Sequence, residues 1–352
     1  MSQLVAIGLI EKDTEDIIEF TWAYPTMDKS IKELLVRKCP PSNLSESNQY
    51  LLPYVFSHGE GFWYYMLASK FNNKEYSGYV TDICFTILSK DFHPEKYYDI
   101  LQALLQTFLF SNSVVTVLKS YLSLFAKKSL DIIGTDKVLN ISSYDPRKAF
   151  IACPLKPLIL QFGIESILLY NAMLLKCRVV VYSSELEALL AFTRTLPLLA
   201  LHRQNWSIVF PYVDLVDYEL TSLKEQPNYV AGFLDSSVEN RIDLYDIFVN
   251  ISSSTITIPE HAKSRFSLSK AHKEIAKLMM EVANDTGKSD QQAIKEINLK
   301  TKEMITNLKN LSIQEDGTPG MISYEILKQR KFTATMSNFL FALATVEGLT
   351  QL

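Results

Sequence analysis

The sequence predicts a mixed fold, an α+β region followed by an α/β region and a helical region. Two strand-like runs, Leu4–Ile10 and Ile17–Tyr24, open the chain with only a polar turn at Lys12–Asp16 between them. Between Ile164 and Pro211 an apolar helix, a buried strand Arg178–Tyr182, a second helix and a strand around Trp206–Phe210 follow one another. That alternation is the grammar of a parallel sheet covered on both faces. Beyond Pro259 only helical periodicity remains. A chain of 352 residues exceeds what one core usually organises, and 47% hydrophobic against 21% charged residues is ample to fill several. We therefore expect an α+β unit at residues 1–128, a linker at 129–143 where the periodicity fades, an α/β unit at 144–259 and a helical unit at 260–352.

In the first unit a helix is expected at Ser30–Lys38, then the Pro40-Pro41-Ser42 break. Strands are expected near Leu51–Phe56, Gly61–Ala68 and Gly78–Leu88. Pro94 suits the first turn of a helix, where its missing N–H costs nothing, and Tyr97, Leu101, Leu104, Leu105 and Phe108 make its buried stripe. The next helix carries Val114, Val117, Leu118, Tyr121 and Phe125 at the same spacing. In the α/β unit Ser184 and Glu187 fit a capping box, so the turn after the Arg178–Tyr182 strand starts a helix where a nucleotide fold would place glycines. Tyr229–Leu234, Leu244–Asn250 and Thr255–Ile258 read as further strands. Ile275, Leu278, Met279 and Val282 mark one late helix, and Ile294, Ile297, Met304, Ile305, Leu308 and Leu311 another, capped by Ser289 and Gln292. Two shorter helices, Ile322–Lys328 and Ala334–Leu349, follow the Gly317-Thr318-Pro319-Gly320 turn.

Composition and motifs exclude several function classes. A net charge of −4 without a clustered basic surface argues against nucleic-acid binding. The start Met1–Ala6 lacks a basic segment and a cleavage site, and no uncharged apolar run reaches the roughly 18 residues of a membrane span, so a cytoplasmic protein is expected. Cys39, Cys84, Cys153 and Cys177 are scattered and read as reduced thiols with no pairing indicated by spacing. The Asn43-Leu44-Ser45 sequon is then idle. Phosphate-binding, zinc-protease and nucleophile-elbow motifs are missing, and Ser267–Lys270 matches S-x-x-K without its companion motifs. His58, His93, His202, His261 and His272 show no ligand spacing, while Asp243 and Asp246 fall on opposite faces of a strand-like run. No catalytic residue, metal or cofactor is expected.

Two groups of residues are candidates for partner binding. Alternation places Phe20, Trp22 and Tyr24 on one strand face. Either all three are covered by helices, or Trp22 and Tyr24 are aromatic anchors for a partner, in which case Trp22→Asp abolishes binding and spares the melting temperature. Asp145, Arg147 and Lys148 follow the linker and either contact a partner or form a solvated turn around Pro146. Arg178 and Arg194 lie in apolar elements, where a structural ion pair competes with a contact role.

The run Leu168–Leu175 into Lys176-Cys177-Arg178-Val179-Val180-Val181-Tyr182-Ser183, then Arg194-Thr195-Leu196-Pro197, Trp206 with Pro211, and Asn228–Gly232, resembles the central part of a DENN domain. Gly8–Thr14 and Asp243–Asn250 extend the resemblance over nearly the whole chain. It implies a longin-like N-terminal lobe, a central α/β DENN core and a C-terminal helical lobe. The activity implied is guanine nucleotide exchange on Rab-type small GTPases on late endosomes, with membrane contact only through partners. The alternative it implies is a non-catalytic scaffold subunit of an endosomal recycling (Commander-type) complex that binds coiled-coil partners. Many members of the family end the core with an acidic Asp-Leu-Asp run, where this chain has Asn250-Ile251-Ser252. Contacts made through those charges do not carry over.

Overall fold

A computed structural model of the chain describes residues 4–40, 53–71, 73, 76–132, 134–135, 138–151, 153–311 and 320–350. The Asn43 sequon, the Pro41-Ser42 part of the break, the first two residues of the expected Leu51–Phe56 strand and the Gly317–Pro319 turn lie outside them. The chain forms two compact units, residues 1–150 and 151–352.

The first unit runs β1 (Leu4–Asp13), β2 (Ile18–Tyr24), α1 (Lys29–Arg37), β3 (Tyr54–Gly59), β4 (Phe62–Lys70), β5 (Val80–Ser89), α2 (Pro94–Ser111) and α3 (Val114–Ala126). This is the order the periodicities predict. The strands make one sheet in the order β2-β1-β5-β4-β3, every pair antiparallel, so β2 is an edge. Helix α2 begins at Pro94, and the His93 ring accepts the Lys96 N–H at 3.5 Å as its cap. Tyr97, Leu101, Leu104, Leu105 and Phe108 are all buried, as their spacing requires. The expected linker holds a short ladder of β6 (Ser129–Asp131) with β7 (Val138–Asn140), with Leu130 buried beside α3.

One expectation fails in β2. Leu9 pairs with Trp22 but Ile10 pairs with Phe20, so Thr21 is the extra residue of a β-bulge. Leu9 and Ile10 point to opposite faces, hence Phe20 and Trp22 do too. Phe20 crosses Gly8, where a Cβ would sit 2.3 Å from the ring, and the Lys32 ammonium of α1 lies 5.7 Å from the Phe20 centroid. Trp22 and Tyr24 share the other face, that of Leu9 and its other partner Phe85, whose ring lies 5.5 Å from Phe108 of α2. Strict alternation holds only for an unbulged strand, and bulging is decided by the partner strand.

Helix α4 (Lys148–Ile151) spans the division between the units, and the second unit runs α5 (Leu155–Phe162), α6 (Ser166–Leu174), β8 (Val179–Tyr182), α7 (Leu186–Thr195), β9 (Val209–Phe210), α8 (Asp217–Lys224), β10 (Val230–Phe233), β11 (Ile247–Asn250) and β12 (Thr255–Thr257). Its sheet order is β12-β11-β8-β10-β9, parallel except for β12. Val179, Val180 and Val181 are all buried, as expected of a central parallel strand. Helices α9 (Lys270–Asn284), α10 (Asp290–Asn310), α11 (Tyr324–Gln329) and α12 (Ala334–Val346) complete the unit. Ser289 and Gln292 form the expected capping box on α10. The box expected at Ser184 and Glu187 does not form: Glu185 is the N-cap of α7, with no side-chain bond, while the buried Ser183 hydroxyl accepts the Glu185 N–H at 3.1 Å. Residues 148–174 match a membrane span in length and composition, with mean hydropathy 1.4. The helical path is nonetheless broken at Pro154 and at Gly163 (φ 55°), and α5 and α6 both pack against α9.

A buried histidine ties these helices together. His272 accepts the Ser269 N–H on Nδ1 at 3.0 Å and meets the Asn171 side-chain oxygen through Nε2 at 3.2 Å, while Asn171 donates to the Arg265 carbonyl. Burial lowers its pKa from 6.5 to about 4, so the ring is neutral and Nε2 carries the proton. Below pH 6.5 the unfolded chain takes up a proton that the folded chain refuses. Stability from this group is therefore complete above the ordinary histidine value and falls as pH drops towards the folded one, by on the order of 3 kcal/mol. Urea titrations at pH 7.5 and 5 should show the loss, and His272→Gln should flatten that part of the profile.

Candidate interaction surface

The charged clusters of the second unit, and that at the start of α2, pair among themselves. Asp246, only 6% exposed, accepts the Arg178 N–H at 2.8 Å and the Arg178 guanidinium at 3.1 Å, with Arg265 at 3.3 Å. Burial opposes the charge, but the Arg178 bonds outweigh it and hold the carboxyl below its ordinary value. Asp243 faces Arg241 and Lys224 at 3.0 and 2.7 Å, so the two carboxylates expected on opposite faces have different cationic partners. Arg178 thus forms a structural ion pair, and Arg194 is buried with its carbonyl accepting the Trp206 indole N–H at 3.4 Å. Glu347 accepts from Arg203 at 2.5 Å and lies 3.2 Å from His202. Burial would raise its pKa, yet these two partners bring it down to about 2. Arg203 also donates to the carbonyls of Met173 and Leu174, the last turn of α6, which ties the end of α12 to it. At the start of α2, Asp91 takes hydrogen bonds from Ser89 and Tyr97 and an ion pair from Lys96 at 3.0 Å, which outweigh its burial and lower its pKa. Among the described residues no group of three or more His, Cys, Asp or Glu could hold a metal ion.

Asp145, Arg147 and Lys148 are exposed and form one turn. The Asp145 carboxylate accepts the Arg147 N–H at 2.9 Å and the Asp145 carbonyl accepts the Lys148 N–H at 3.0 Å, a turn built by its own first residue. Tyr144 anchors it by donating to Asp99 of α2. Two charged side chains of the turn are thereby displayed to solvent, and Arg147 and Lys148 have donors to offer.

The apolar surface is elsewhere. Tyr24 on edge strand β2 is 40% exposed, whereas Trp22 is half-buried. Tyr24 lies close enough to Tyr121 of α3 to raise that hydroxyl's pKa beyond the effect of burial. The Tyr121 ring is edge-on to Phe125 with centroids 5.2 Å apart. Helix α3 buries Val117, Tyr121 and Leu124, a narrower stripe than the expected Val114, Val117, Leu118, Tyr121 and Phe125. Its outer side carries Val115 at 57%, Leu122 at 40% and Phe125 at 42% exposure, with half-buried Leu118 between them. Positions 115, 118, 122 and 125 have the a/d spacing of a heptad seam, and exposed Lys119 falls at a flanking position. Val115 and Leu122 were missed because the helix is apolar nearly all round, so periodicity leaves its buried side undetermined. The alternating three- and four-residue spacing was the signal available. A separate apolar groove of about 260 Å³ lies between α9, α10 and α12, floored by Ile275, Leu308 and Leu340 with Glu274 and Lys300 at its rim.

A family model described as "SPA: Stabilization of polarity axis" matches residues 154–260, the stretch from α5 through β12. Across the whole length, DENN domain-containing protein 10 of Danio rerio is 40% identical over 346 residues, covering 98% of this chain and 97% of the relative. The Homo sapiens protein of the same name is 38% identical over 347 residues, covering 98% and 96%. That of Dictyostelium discoideum is 33% identical over 361 residues, covering 98% and 97%.

Proposed function

The chain belongs to the family of DENN domain-containing proteins, and on that premise we propose that it is a guanine nucleotide exchange factor for a Rab-type small GTPase in the late endocytic pathway. The observation that carries this reading is the 33–40% identity with relatives of that family name over 98% of the chain. Exchange needs no bond chemistry. A protein that binds the GTPase's switch segments in an arrangement incompatible with bound nucleotide and Mg²⁺ weakens nucleotide binding by the same factor that nucleotide weakens its own. A complementary surface suffices, and the Tyr24 edge, half-buried Trp22 and the Asp145–Lys148 turn are the candidate contacts. Cytoplasmic location, peripheral on late endosomes through its partners, belongs to the same proposal.

The test is release of labelled GDP from a panel of Rab proteins on adding catalytic amounts of the chain. Accelerated release from one or a few Rabs is expected, and no acceleration across the panel would sink the exchange reading. Tyr24→Asp should then slow exchange on the responding Rab at least tenfold, the loss of one anchor of about 1.4 kcal/mol or more, with little change in melting temperature because the side chain is exposed. Unchanged exchange would remove the β2 edge from the contact.

A second reading, a scaffold subunit that binds coiled-coil partners of an endosomal recycling complex, is favoured by the seam on α3. Val115, Leu118, Leu122 and Phe125 offer a helix the knobs of a two-stranded packing, and Lys119 favours an acidic residue beside the partner's seam. Leu122→Asp should abolish co-purification with such partners and leave GDP release untouched. Retained co-purification counts against α3 as the docking helix.

A further inference from the structure

A cavity of about 270 Å³ in the first unit is lined by Lys12, Ile18, Cys39, Asp82 and Cys84, among others. Cys84 lies mid-sheet in β5, opposite Ile10 of β1 on one side and Ala68 of β4 on the other. Cys39 immediately follows the C-cap of α1, and its N–H donates to the Val36 carbonyl at 3.3 Å, which fixes its place. The two thiols, far apart in sequence, line the same cavity. Their accessibility differs: Cys84 is buried and Cys39 half-exposed. The Lys12 ammonium lies near Cys39.

We propose that Cys39 and Cys84 are an oxidation site at which a hydroperoxide closes a disulfide between the end of α1 and the centre of the sheet. The Cys39 thiolate attacks the O–O bond, an S–O bond forms, and hydroxide or alkoxide leaves and is protonated. The Cys84 sulfur then attacks the Cys39 sulfenic sulfur, the S–O bond breaks, and the Cys84 proton leaves with the oxygen as water. Two thiols and one hydrogen peroxide thus give one disulfide and two waters. The order follows from access: the half-exposed thiol meets the oxidant, and the buried one, lining the same cavity, resolves the intermediate. Burial pushes the Cys84 thiol well up, which keeps it from reacting first. Cys153 and Cys177 are buried in the other unit, and burial pushes the Cys177 thiol up to about 12.

The test uses the full reduced chain, treated with graded hydrogen peroxide, blocked with iodoacetamide and digested without reductant for mass spectrometry. A linked Cys39–Cys84 peptide, reversed by dithiothreitol, should accumulate at peroxide concentrations at least tenfold below those that oxidise Cys153 or Cys177. In Cys84→Ser the Cys39 sulfenic acid should persist and be trapped by dimedone. The proposal is overturned if Cys39 proceeds to sulfinic acid while Cys84 remains alkylatable after unfolding. It is equally overturned if Cys39 pairs with Cys153 or Cys177, or if these oxidise first.

Discussion

Replacing Gly232 with alanine is expected to cost about 3 kcal/mol or more and to leave the second unit partly unfolded at 37 °C. A Cβ built at this position sits 2.2 Å from the Pro211 carbonyl oxygen and 3.0 Å from its carbon. The obstacle is backbone, so it cannot rotate away as a side chain would. The close approach is held from both sides: the Val213 N–H donates to the Gly232 carbonyl at 2.8 Å, and β10 pairs with β8 through Gly232 and Val181. Relief would require pulling the Pro211 segment off the sheet, which opens the cluster of Val213, Leu220, Phe233 and Phe248. Urea denaturation followed by Trp206, buried in this unit, would measure the loss. A variant within 0.5 kcal/mol of the parent, the range of ordinary surface changes, would show that the two segments do not meet as described.

Removing the Asp246 carboxylate with alanine is expected to cost about 3 kcal/mol, for a different reason. The acceptor lost serves the Arg178 N–H, the Arg178 guanidinium and Arg265 together, and the N–H has no alternative once the strand ladder around it is formed. Arg178 and Arg265 retain partial access to water, which keeps the cost below that of a fully buried pair. Asp246→Asn keeps one acceptor oxygen and should lose less than half as much. The carboxyl's folded pKa lies below its ordinary value, so this contribution is complete above the ordinary carboxylate range and vanishes as pH falls through the folded value. The difference between parent and Asp246→Ala should therefore shrink when both are titrated with urea below pH 4. A difference that does not change with pH would mean lost packing and not lost charge.

Legibility in the sequence followed the range of the interaction concerned. The order β-β-α-β-β-β-α-α of the first unit and the βα alternation of the second are set by side-chain periodicity along a few turns or strand positions, which a sequence displays directly. The capping boxes show where local signals stop: Ser289 with Gln292 closes as read, whereas Ser184 gives way because Ser183, already buried by the strand, takes the Glu185 N–H. The seam on α3 was hidden for a related reason. A helix apolar nearly all round does not say which side will be buried, and packing against α2 and β6 decided that for Val117, Tyr121 and Leu124. The candidate residues of β2 and of the Asp145–Lys148 turn are where the sequence placed them along the chain, but their exposure is a property of what packs beside them.

By itself, the sequence determined the composition of the elements, their order, the buried stripe of α2 and the likeness to one family, because each depends on residues near one another or on the string as a whole. Tertiary structure alone decided the Thr21 bulge that separates Phe20 from Trp22, the backbone contact at Gly232, the gathering of two arginines on Asp246 and the placing of Cys39 and Cys84 in one cavity. Each of these joins segments distant along the chain. Whether such segments meet is fixed by how whole sheets and helices stack, and no spacing within a single segment records it.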